Sequence, residues 1–305
     1  MKNTKTLLVA ILSVILMASC QSKQEKMKKE LVDFIRKFDS VYIPLYKANT
    51  LASWDAAISG KPEDFKKSVE LQMKMVKLFA DKESLKKLDS IKVSGMITDS
   101  LLLRQLDVLY RAFMMAKADT AKLNATVRMQ SGIEQKYGNF RAIVKGKKMN
   151  DNEVENVLRN SKDVKAQKEV WIAQKKIGPV VSADIIQLVK KRNEIAKDLG
   201  FRNYHEMSLT LGEQDPKVIS ELFDELDSLT KGAFAEVKND IDNYFVTYYN
   251  LKSKAELMPW NYQNRFFQEA PKIYAVDLDK FYKERKLNNL LQLSMPVSGF
   301  RSMTC

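Results

Sequence analysis

The stretch Leu257–Pro271 reads LMPWNYQNRFFQEAP and combines a high density of aromatic residues with proline at either end. It holds one Trp, one Tyr and two Phe within fifteen residues. Such a segment is too apolar for an ordinary surface loop. It is also too interrupted by proline for a regular helix, because proline removes a backbone donor and crowds the preceding turn. We therefore expect neither a surface loop nor a plain helix over this stretch.

The rest of the chain has the pattern of an all-α protein. Only 10 Gly and 7 Pro occur among 305 residues, and no run shows sustained alternation of apolar and polar residues. One helix is predicted over Ser182–Leu199, with Ser182 as its N-cap and Gly200 as its left-handed C-cap. Another begins at Asp215 and Pro216. Its apolar core positions recur at helical spacing and are Ile219, Leu222, Phe223, Leu226 and Leu229.

Further helices are predicted on the same grounds. They cover 24–47, 62–80, 83–91, 98–117, 120–145, 151–160, 163–177, 203–211 and 234–252. Pro62 is predicted to open one of them, and Pro179 to end another after Ile177, because the residue before proline disfavours helical geometry. No internal repeat and no Pro-rich or Ser-rich linker is visible. One continuous helical unit over 21–285 is therefore the simplest division of the mature chain.

The first twenty residues have the layout of a secretory signal. Lys2 and Lys5 form a basic start, residues 7–17 form an apolar run, and small residues directly precede Cys20. The run is short for a membrane-spanning helix, which needs about 20 apolar residues. Small residues before a Cys resemble the bacterial lipobox. We expect 1–20 to be a lipoprotein signal peptide, and Cys20 to be lipidated and to anchor the exported protein to the cell envelope. An ordinary signal peptide with an incidental Cys is the alternative.

The charge of the chain fits an exported protein. The formal net charge is +13, and removal of Lys2 and Lys5 with the signal takes away two charges and leaves +11. The basic residues are spread over helical faces, with Lys145–Lys148 as the compact cluster. We therefore expect no nucleic-acid partner, and attraction to anionic lipid or acidic peptide is the better interpretation. The two cysteines are Cys20 and Cys305, which excludes a disulfide framework.

The sequence contains one histidine, His205, followed directly by Glu206. A zinc-binding helix needs a second His four residues after the first, so that both imidazoles share one face. That position is Leu209. We therefore assign no metal ligand and no catalytic residue. The carboxylates are mostly paired locally with lysines and select no acid–base pair, and neither a Gly-rich phosphate loop nor a nucleophile elbow is present.

Aromatic side chains are concentrated in the last third of the chain. Helix packing accounts for them, because aromatic residues bury large areas and dominate protein cores. The functional alternative is one wall of a peptide-binding channel, for which the sequence selects no individual substrate-binding residue. These residues are Tyr244, Phe245, Tyr248, Tyr249, Trp260, Tyr262, Phe266 and Phe267.

Three blocks resemble peptidyl-dipeptidases of the angiotensin-converting enzyme type. Asn49–Trp54 (NTLASW) is similar to an early helix of that family. Arg192–Tyr204 (RNEIAKDLGFRNY) is similar to a segment shared more widely by helical zinc peptidases, including oligoendopeptidases. Leu257–Pro271 points most narrowly to the family. The resemblance implies an all-helical peptidase with a deep channel roofed by lid helices, in which zinc-activated water releases dipeptides from peptide C-termini.

The resemblance also implies that this chain is an N-terminal half, with lid and channel wall but without the zinc site. Zinc is the cofactor of the full-length family, and peptides are the expected partners. We expect this chain to bind no zinc and to be inactive alone. The tail 286–305 is interpreted as aberrant, because Ser294–Cys305 matches nothing in the family, and a frameshift between about Lys283 and Ser294 would explain it. Helices built to pack on a missing half would expose apolar faces and favour aggregation.

Two other functions are compatible with the sequence. The first is a non-enzymatic helical envelope lipoprotein that binds peptides or partner proteins, in which a lone His needs no explanation. The second is an elongated structural protein of the envelope. The absence of long uninterrupted heptads disfavours that second function, because extended coiled coils depend on them.

Overall fold

The structure, a computed structural model, describes residues 2–274, and for residues 2–22 it describes the backbone only. The Cys20 side chain and the tail 286–305 lie outside the described side chains and residues. Within the described part the regular secondary structure is helical apart from one short hairpin, which confirms the predicted all-α class. No described helix is both long enough and apolar enough to cross a membrane.

The secondary structure follows the chain in a simple order. The helices are α1 (Lys2–Ser59), α2 (Pro62–Phe79), α3 (Lys82–Ser94), α4 (Ser100–Met115), α5 (Thr120–Asn139), α6 (Asp151–Asn160), α7 (Val164–Lys175), α8 (Ile177–Asp198), α9 (Tyr204–Leu211) and α10 (Pro216–Tyr248). The strands β1 (Ala142–Val144) and β2 (Lys147–Met149) pair as a hairpin between α5 and α6. Two 3₁₀ turns cover Lys254–Glu256 and Pro259–Tyr262.

Backbone contacts divide the described chain into two compact units. Unit 1 runs to Ala142 and resumes over Gln174–Thr230, whereas unit 2 comprises Ile143–Ala173 and the described residues from Lys231 to Tyr274. The two parts of unit 2 pack on each other although they are far apart in sequence, a relationship that composition does not reveal. The expectation of one continuous helical peptidase domain over 21–285 stays a prediction.

Unit 1 is built around a core shared by α1, α3 and α4. Phe38 of α1 lies with its ring centroid 5.6 Å from that of Phe113 in α4 and 5.3 Å from that of Phe79 in α2. Full burial of one such side chain contributes about 1.5–3 kcal/mol. The buried members of this core are Leu31, Phe38, Leu88, Ile91, Ile97, Leu106 and Phe113. The small buried residues Ala52 and Ala56 of α1 lie four positions apart where α2 packs against it.

Two predicted helix ends are confirmed by their capping geometry. Gly200 has a φ of +88°, and the amide of Phe201 donates to the carbonyl of Ala196 at 2.9 Å. This is the hydrogen bond by which a left-handed residue closes a helix. At the start of α10 the Asp215 carboxylate accepts two backbone hydrogen bonds, at 2.7 and 3.0 Å, with Pro216 in the first turn.

Two predicted helix boundaries near prolines are wrong. The predicted helix 24–47 is part of α1, which continues to Ser59. The predicted N-cap Ser182 lies inside α8, which already begins at Ile177 and holds Pro179 in its first turn. Proline is tolerated there because the first amides of a helix have no helical acceptor to lose.

The predicted helix 120–145 is also wrong at its C-terminal end. α5 ends at Asn139, and the β1–β2 hairpin follows. The two residues between the strands, Lys145 and Gly146, have φ values of +51° and +82°. Positive φ at both central residues is the pattern of the tight turn that suits the twist of a hairpin.

The first half of α10 is not the core helix that the sequence predicted. Every residue from 220 to 237 is exposed in the described structure. Leu222 and Leu229 retain 47% and 71% of their accessible surface. The apolar stripe of this helix is therefore present as predicted, but its assignment to the core is wrong. On α8, Leu188 and Ile195 are buried as expected, whereas Ile185, Ile186 and Val189 are largely exposed.

Candidate functional site

An apolar groove lies within unit 2, between the second half of α10 and the segment Leu257–Pro271. It has a volume of about 550 Å³, and we call it the α10 groove. Most of its lining is aliphatic or aromatic, with Lys238 and Glu269 as the charged exceptions. The lining residues are Phe234, Val237, Lys238, Ile241, Leu257, Met258, Pro259, Tyr262, Phe267, Glu269, Ala270 and Pro271.

Asn261 fixes the shape of the segment that forms one wall of this groove. Its side chain is fully buried, and its Oδ1 accepts a hydrogen bond from the Met258 amide at 2.8 Å across the 3₁₀ turn. Gln263 follows with a φ of +60°, which turns the chain sharply after Tyr262. A buried Asn at this position supplies the hydrogen bonds that an irregular, Pro-containing backbone cannot make with itself.

A buried polar chain ties this turn to the helices behind it. Gln167 of α7 is fully buried, and its Nε2 donates to the Tyr249 hydroxyl at 2.8 Å. That hydroxyl in turn donates to the backbone carbonyl of Asn261 at 3.2 Å. Burial raises the pKa of Tyr249, so the phenol keeps the proton that it donates. The wall segment is thereby held by hydrogen bonds as well as by packing.

Charged residues anchor the distal part of the same segment to α6. Arg265 pairs with Asp151 at 2.8 Å and with Glu155 at 2.9 Å, and its side chain is only 18% exposed. Asn264 donates a further hydrogen bond to Glu155 at 3.2 Å. Phe267, which lines the groove, has a φ of +57°. A non-glycine residue in this conformation is strained, so the anchored residues before it hold the bend in place.

The structure brings together most of the aromatic residues that the sequence singled out. Phe245 is fully buried, and Tyr262 meets its ring edge-on with the centroids 5.9 Å apart. Trp260 packs edge-on against Trp171 of α7 at 6.0 Å. Phe267 remains 56% exposed at the groove. Packing therefore accounts for the inner rings, as the first interpretation held, while the outer rings form the wall of an open groove.

A polar cluster lies at the inner side of the groove. The ammonium of Lys238 donates to Asp242 at 2.5 and 2.7 Å and to the Tyr262 hydroxyl at 2.9 Å. Tyr262 in turn donates to Asp242 at 2.8 Å. Burial alone would lower the pKa of Lys238, but its bonds to Asp242 and Tyr262 outweigh that effect and raise it. Burial and the neighbouring Asp242 carboxylate raise the pKa of Tyr262, although Lys238 opposes them. The cluster thus keeps one protonated cation and one neutral phenol at neutral pH.

The described residues do not provide a zinc site. His205 is the second residue of α9, exposed to solvent, and the side chain one turn later is that of Leu209. No group of three His, Cys, Asp or Glu side chains in the described part of the chain is arranged to hold a metal ion. Catalytic zinc sites take three protein ligands, so this donor set does not fit the metal.

The family model for angiotensin-converting enzyme matches residues 25–257, well over half of the chain. The chain belongs to the angiotensin-converting enzyme family. This confirms the predicted peptidyl-dipeptidase relationship and supports a metallopeptidase-type function. No curated protein matches the chain.

The matched range includes two of the three blocks that carried the resemblance. Asn49–Trp54 lies in α1, and Arg192–Tyr204 forms the corner where α8 ends and α9 begins. At that corner the Tyr204 amide donates to the Asn193 side chain at 2.9 Å, which explains the polar residues of this block. The third block, Leu257–Pro271, begins at the last matched residue. Its family likeness therefore stays a prediction.

Sequence reasoning missed the polar cluster of the groove. Lys238 and Asp242 are four residues apart on α10, a spacing typical of an exposed ion pair on a helix. Their third partner, Tyr262, follows 20 positions after Asp242. The sequence did single out Tyr262 as an aromatic residue in a segment bounded by proline. Its pairing with Lys238 depends on the tertiary fold, which local sequence does not reveal.

Proposed function

We propose that this chain is a peptide-binding homologue of zinc peptidyl-dipeptidases, with the α10 groove as its peptide site. Two observations carry the proposal: the chain matches a family of peptidases, and unit 2 contains an open, largely apolar groove with a polar cluster. Apolar walls with a few well-placed polar groups are the usual composition of ligand sites. This arrangement favours short peptides with apolar side chains.

The groove suggests a division of roles among its residues. Phe234, Val237 and Phe267 are exposed apolar groups that would contact substrate side chains. Lys238 and Tyr262 would offer hydrogen-bond donors to peptide carbonyl or carboxylate oxygens, at the cost of sharing Asp242. The pre-formed hydrogen bonds of this cluster would limit the entropy lost on binding.

Zinc, when bound in members of this family, polarises the scissile carbonyl and activates water. The described residues of this chain do not fit that ion, and the whole sequence contains one His. We therefore propose that the chain binds peptides and does not cleave them by itself.

The test compares binding with cleavage on the same peptides. The full chain is incubated with short apolar peptides with and without added zinc, and dipeptide release is followed by mass spectrometry. We expect peptide binding without dipeptide release in either condition. Zinc-dependent release that a chelator abolishes would contradict the proposed inactivity, and a failure to bind any of the peptides would contradict the groove assignment.

A second candidate function is a non-enzymatic envelope lipoprotein that binds peptides or partner proteins. The observation that favours it is the single exposed His205, which neither forms nor needs a metal site. The two functions differ at the level of the intact gene locus. Zinc content and dipeptide release, measured on the product of the full locus, are expected for the peptidase homologue and not for the lipoprotein.

We also propose that the protein is exported and anchored to the bacterial envelope through lipid on Cys20. The basic start, the apolar run and the small residues before Cys20 support this. Mass spectrometry of the membrane-bound protein should show a lipidated Cys20 as the first residue. A Cys20→Ser variant should leave the membrane fraction, and its retention there would contradict the proposed anchor.

A further inference from the structure

A second cleft lies in unit 1, far in sequence from the α10 groove and independent of it. It has a volume of about 460 Å³ and is formed by the first two turns of α3 and the last turns of α4. Its floor is apolar and includes Leu85 and Met114, and the ring of Tyr110 forms one side. Leu85 and Tyr110 both pack against the core of unit 1, so the floor is held rigidly.

The rim of this cleft is positively charged. Lys82, Lys86 and Lys117 line it, against a single carboxylate from Asp89. Lys86 also pairs with Glu83 at 2.9 Å, but both of these side chains are more than 70% exposed. An ion pair exposed in this way holds its partners weakly, so Lys86 can exchange Glu83 for another anion at little cost.

Tyr110 lies beside Asp89, the carboxylate that lines the cleft. Burial, followed by the charge of Asp89 and the hydrogen bond to it, raises the pKa of the Tyr110 phenol. The hydroxyl therefore stays protonated at neutral pH and donates to Asp89, so that this carboxylate already has a partner. Lys92 lies 5.3 Å from the centre of the same ring but is paired with Asp107, so Lys82, Lys86 and Lys117 supply the positive charge of the rim.

We propose that this cleft binds acidic peptide segments in which carboxylate side chains alternate with apolar ones. The three lysines would pair with the carboxylates, and the apolar floor would take the side chains between them. A ligand of this kind is recognised by positive charge on the rim, which complements its carboxylates, and by apolar surface beneath the rim. The ligand differs in charge from the apolar peptides proposed for the α10 groove.

Position along α1 favours a peptide over a lipid headgroup as the occupant. Met114, which lines the cleft, directly follows Phe113, whose ring contacts Phe38 of α1. Phe38 follows Cys20, the residue proposed to carry lipid, by eighteen positions. At a rise of about 1.5 Å per residue this corresponds to about 27 Å along the helix.

The test uses fluorescence anisotropy with the full chain and a labelled peptide, Glu-Leu-Glu-Phe-Glu. The matched peptide Gln-Leu-Gln-Phe-Gln serves as the uncharged control. The test variant combines Lys82→Glu, Lys86→Glu and Lys117→Glu. Its matched control combines Lys47→Glu, Lys66→Glu and Lys67→Glu, which change the same net charge at exposed positions of α1 and α2. A further variant, Met114→Trp, fills the floor while leaving every lysine in place.

We expect the acidic peptide to bind the unaltered chain at least tenfold more tightly than the Gln peptide. The cleft variant and Met114→Trp should each lose at least tenfold in affinity, whereas the control variant should change less than threefold. Equal losses in the cleft and control variants would overturn the proposal, because they would show general attraction to a basic surface. Binding to anionic phosphatidylglycerol vesicles that depends on the three cleft lysines, without peptide binding, would overturn it in favour of lipid.

Discussion

Lys238 and Tyr262 meet at the α10 groove, where the ammonium nitrogen lies 2.9 Å from the phenol oxygen and 4.7 Å from the centre of the same ring. The two residues are joined through a hydrogen bond and through the attraction of a cation to an aromatic face. Asp242 completes the cluster by accepting from both of them. Lys238 and Asp242 thereby join α10 to the segment that forms the wall of the groove.

This cluster predicts a loss of stability at alkaline pH. The pKa values of Lys238 and Tyr262 are both raised in the folded protein. The two groups therefore contribute fully to the free energy of unfolding below the pKa values that they have in the unfolded chain, which are about 10. This contribution is lost as the pH rises through their higher pKa values in the folded protein. Urea unfolding measured between about pH 9 and 12 should show this fall.

Tyr262→Phe should reduce the loss of stability at alkaline pH, because it removes one titrating group and its hydrogen bond to Asp242. The matched change Tyr137→Phe, at an exposed tyrosine, should leave the pH profile as it is. A Tyr262→Phe profile that superimposes on that of the unaltered chain would show that the cluster does not stabilise the fold.

Removal of the buried amide at position 261 should be costly. Asn261→Ala leaves the Met258 amide without its side-chain acceptor and opens a small cavity. We expect the free energy of unfolding to fall by about 1–3 kcal/mol, the usual cost of leaving a buried polar group unsatisfied. Asn243→Ala, on an exposed face of α10, should change stability by less than about 0.5 kcal/mol. Chemical denaturation measures both, and equal effects would contradict the buried role of Asn261.

Two glycines should respond to alanine in opposite directions. Gly200, which follows α8, has a φ of +88° and open space where a methyl group would lie, so Gly200→Ala suffers from backbone conformation alone. We expect it to cost about 1 kcal/mol. Gly232 is an exposed residue inside α10, with equally open space around it. Gly232→Ala should stabilise by up to about 1 kcal/mol, and thermal melts of the pair should shift apart.

The exposed stripe on α10 predicts poor solubility. Contiguous exposed apolar area favours self-association. Leu222→Lys combined with Leu229→Lys should reduce light scattering of the purified chain while changing the unfolding free energy by less than about 0.5 kcal/mol per site. Leu106→Lys, at a buried position of α4, should instead prevent folding. A strong loss of stability in the α10 variant would show that its stripe is packed in solution.

Local signals explain why much of the helical framework could be predicted. The Asp215–Pro216 pair and Gly200 act through capping geometry within a few residues, so their roles follow from sequence alone. The hairpin after α5 was missed because its strands are three residues long. Gly146 was the available signal, yet its partner in the turn, Lys145, is not a residue that favours positive φ.

The site was harder to predict because it depends on contacts between distant segments. The aromatic character of Leu257–Pro271 correctly indicated packing, as the contacts of Trp260 and Tyr262 show, whereas the wall of a peptide channel stays a prediction. Gln167 could not be linked to Tyr249, 82 positions later, since an isolated Gln on a helix usually faces solvent. The α10 stripe shows the opposite case, in which a correct helical pattern does not reveal whether the face is buried.

The central claim, that the α10 groove of this family member binds peptide, is tested most directly by fluorescence anisotropy. The probe is a labelled apolar peptide, Ala-Leu-Phe-Leu, titrated with the full chain, with Val237→Asp, and with the control Val189→Asp on α8. Val237 and Val189 are comparably exposed, so neither change should unfold the protein. We predict saturable binding that Val237→Asp weakens at least tenfold and Val189→Asp leaves unchanged. Absence of binding, or equal weakening by both variants, would contradict the account.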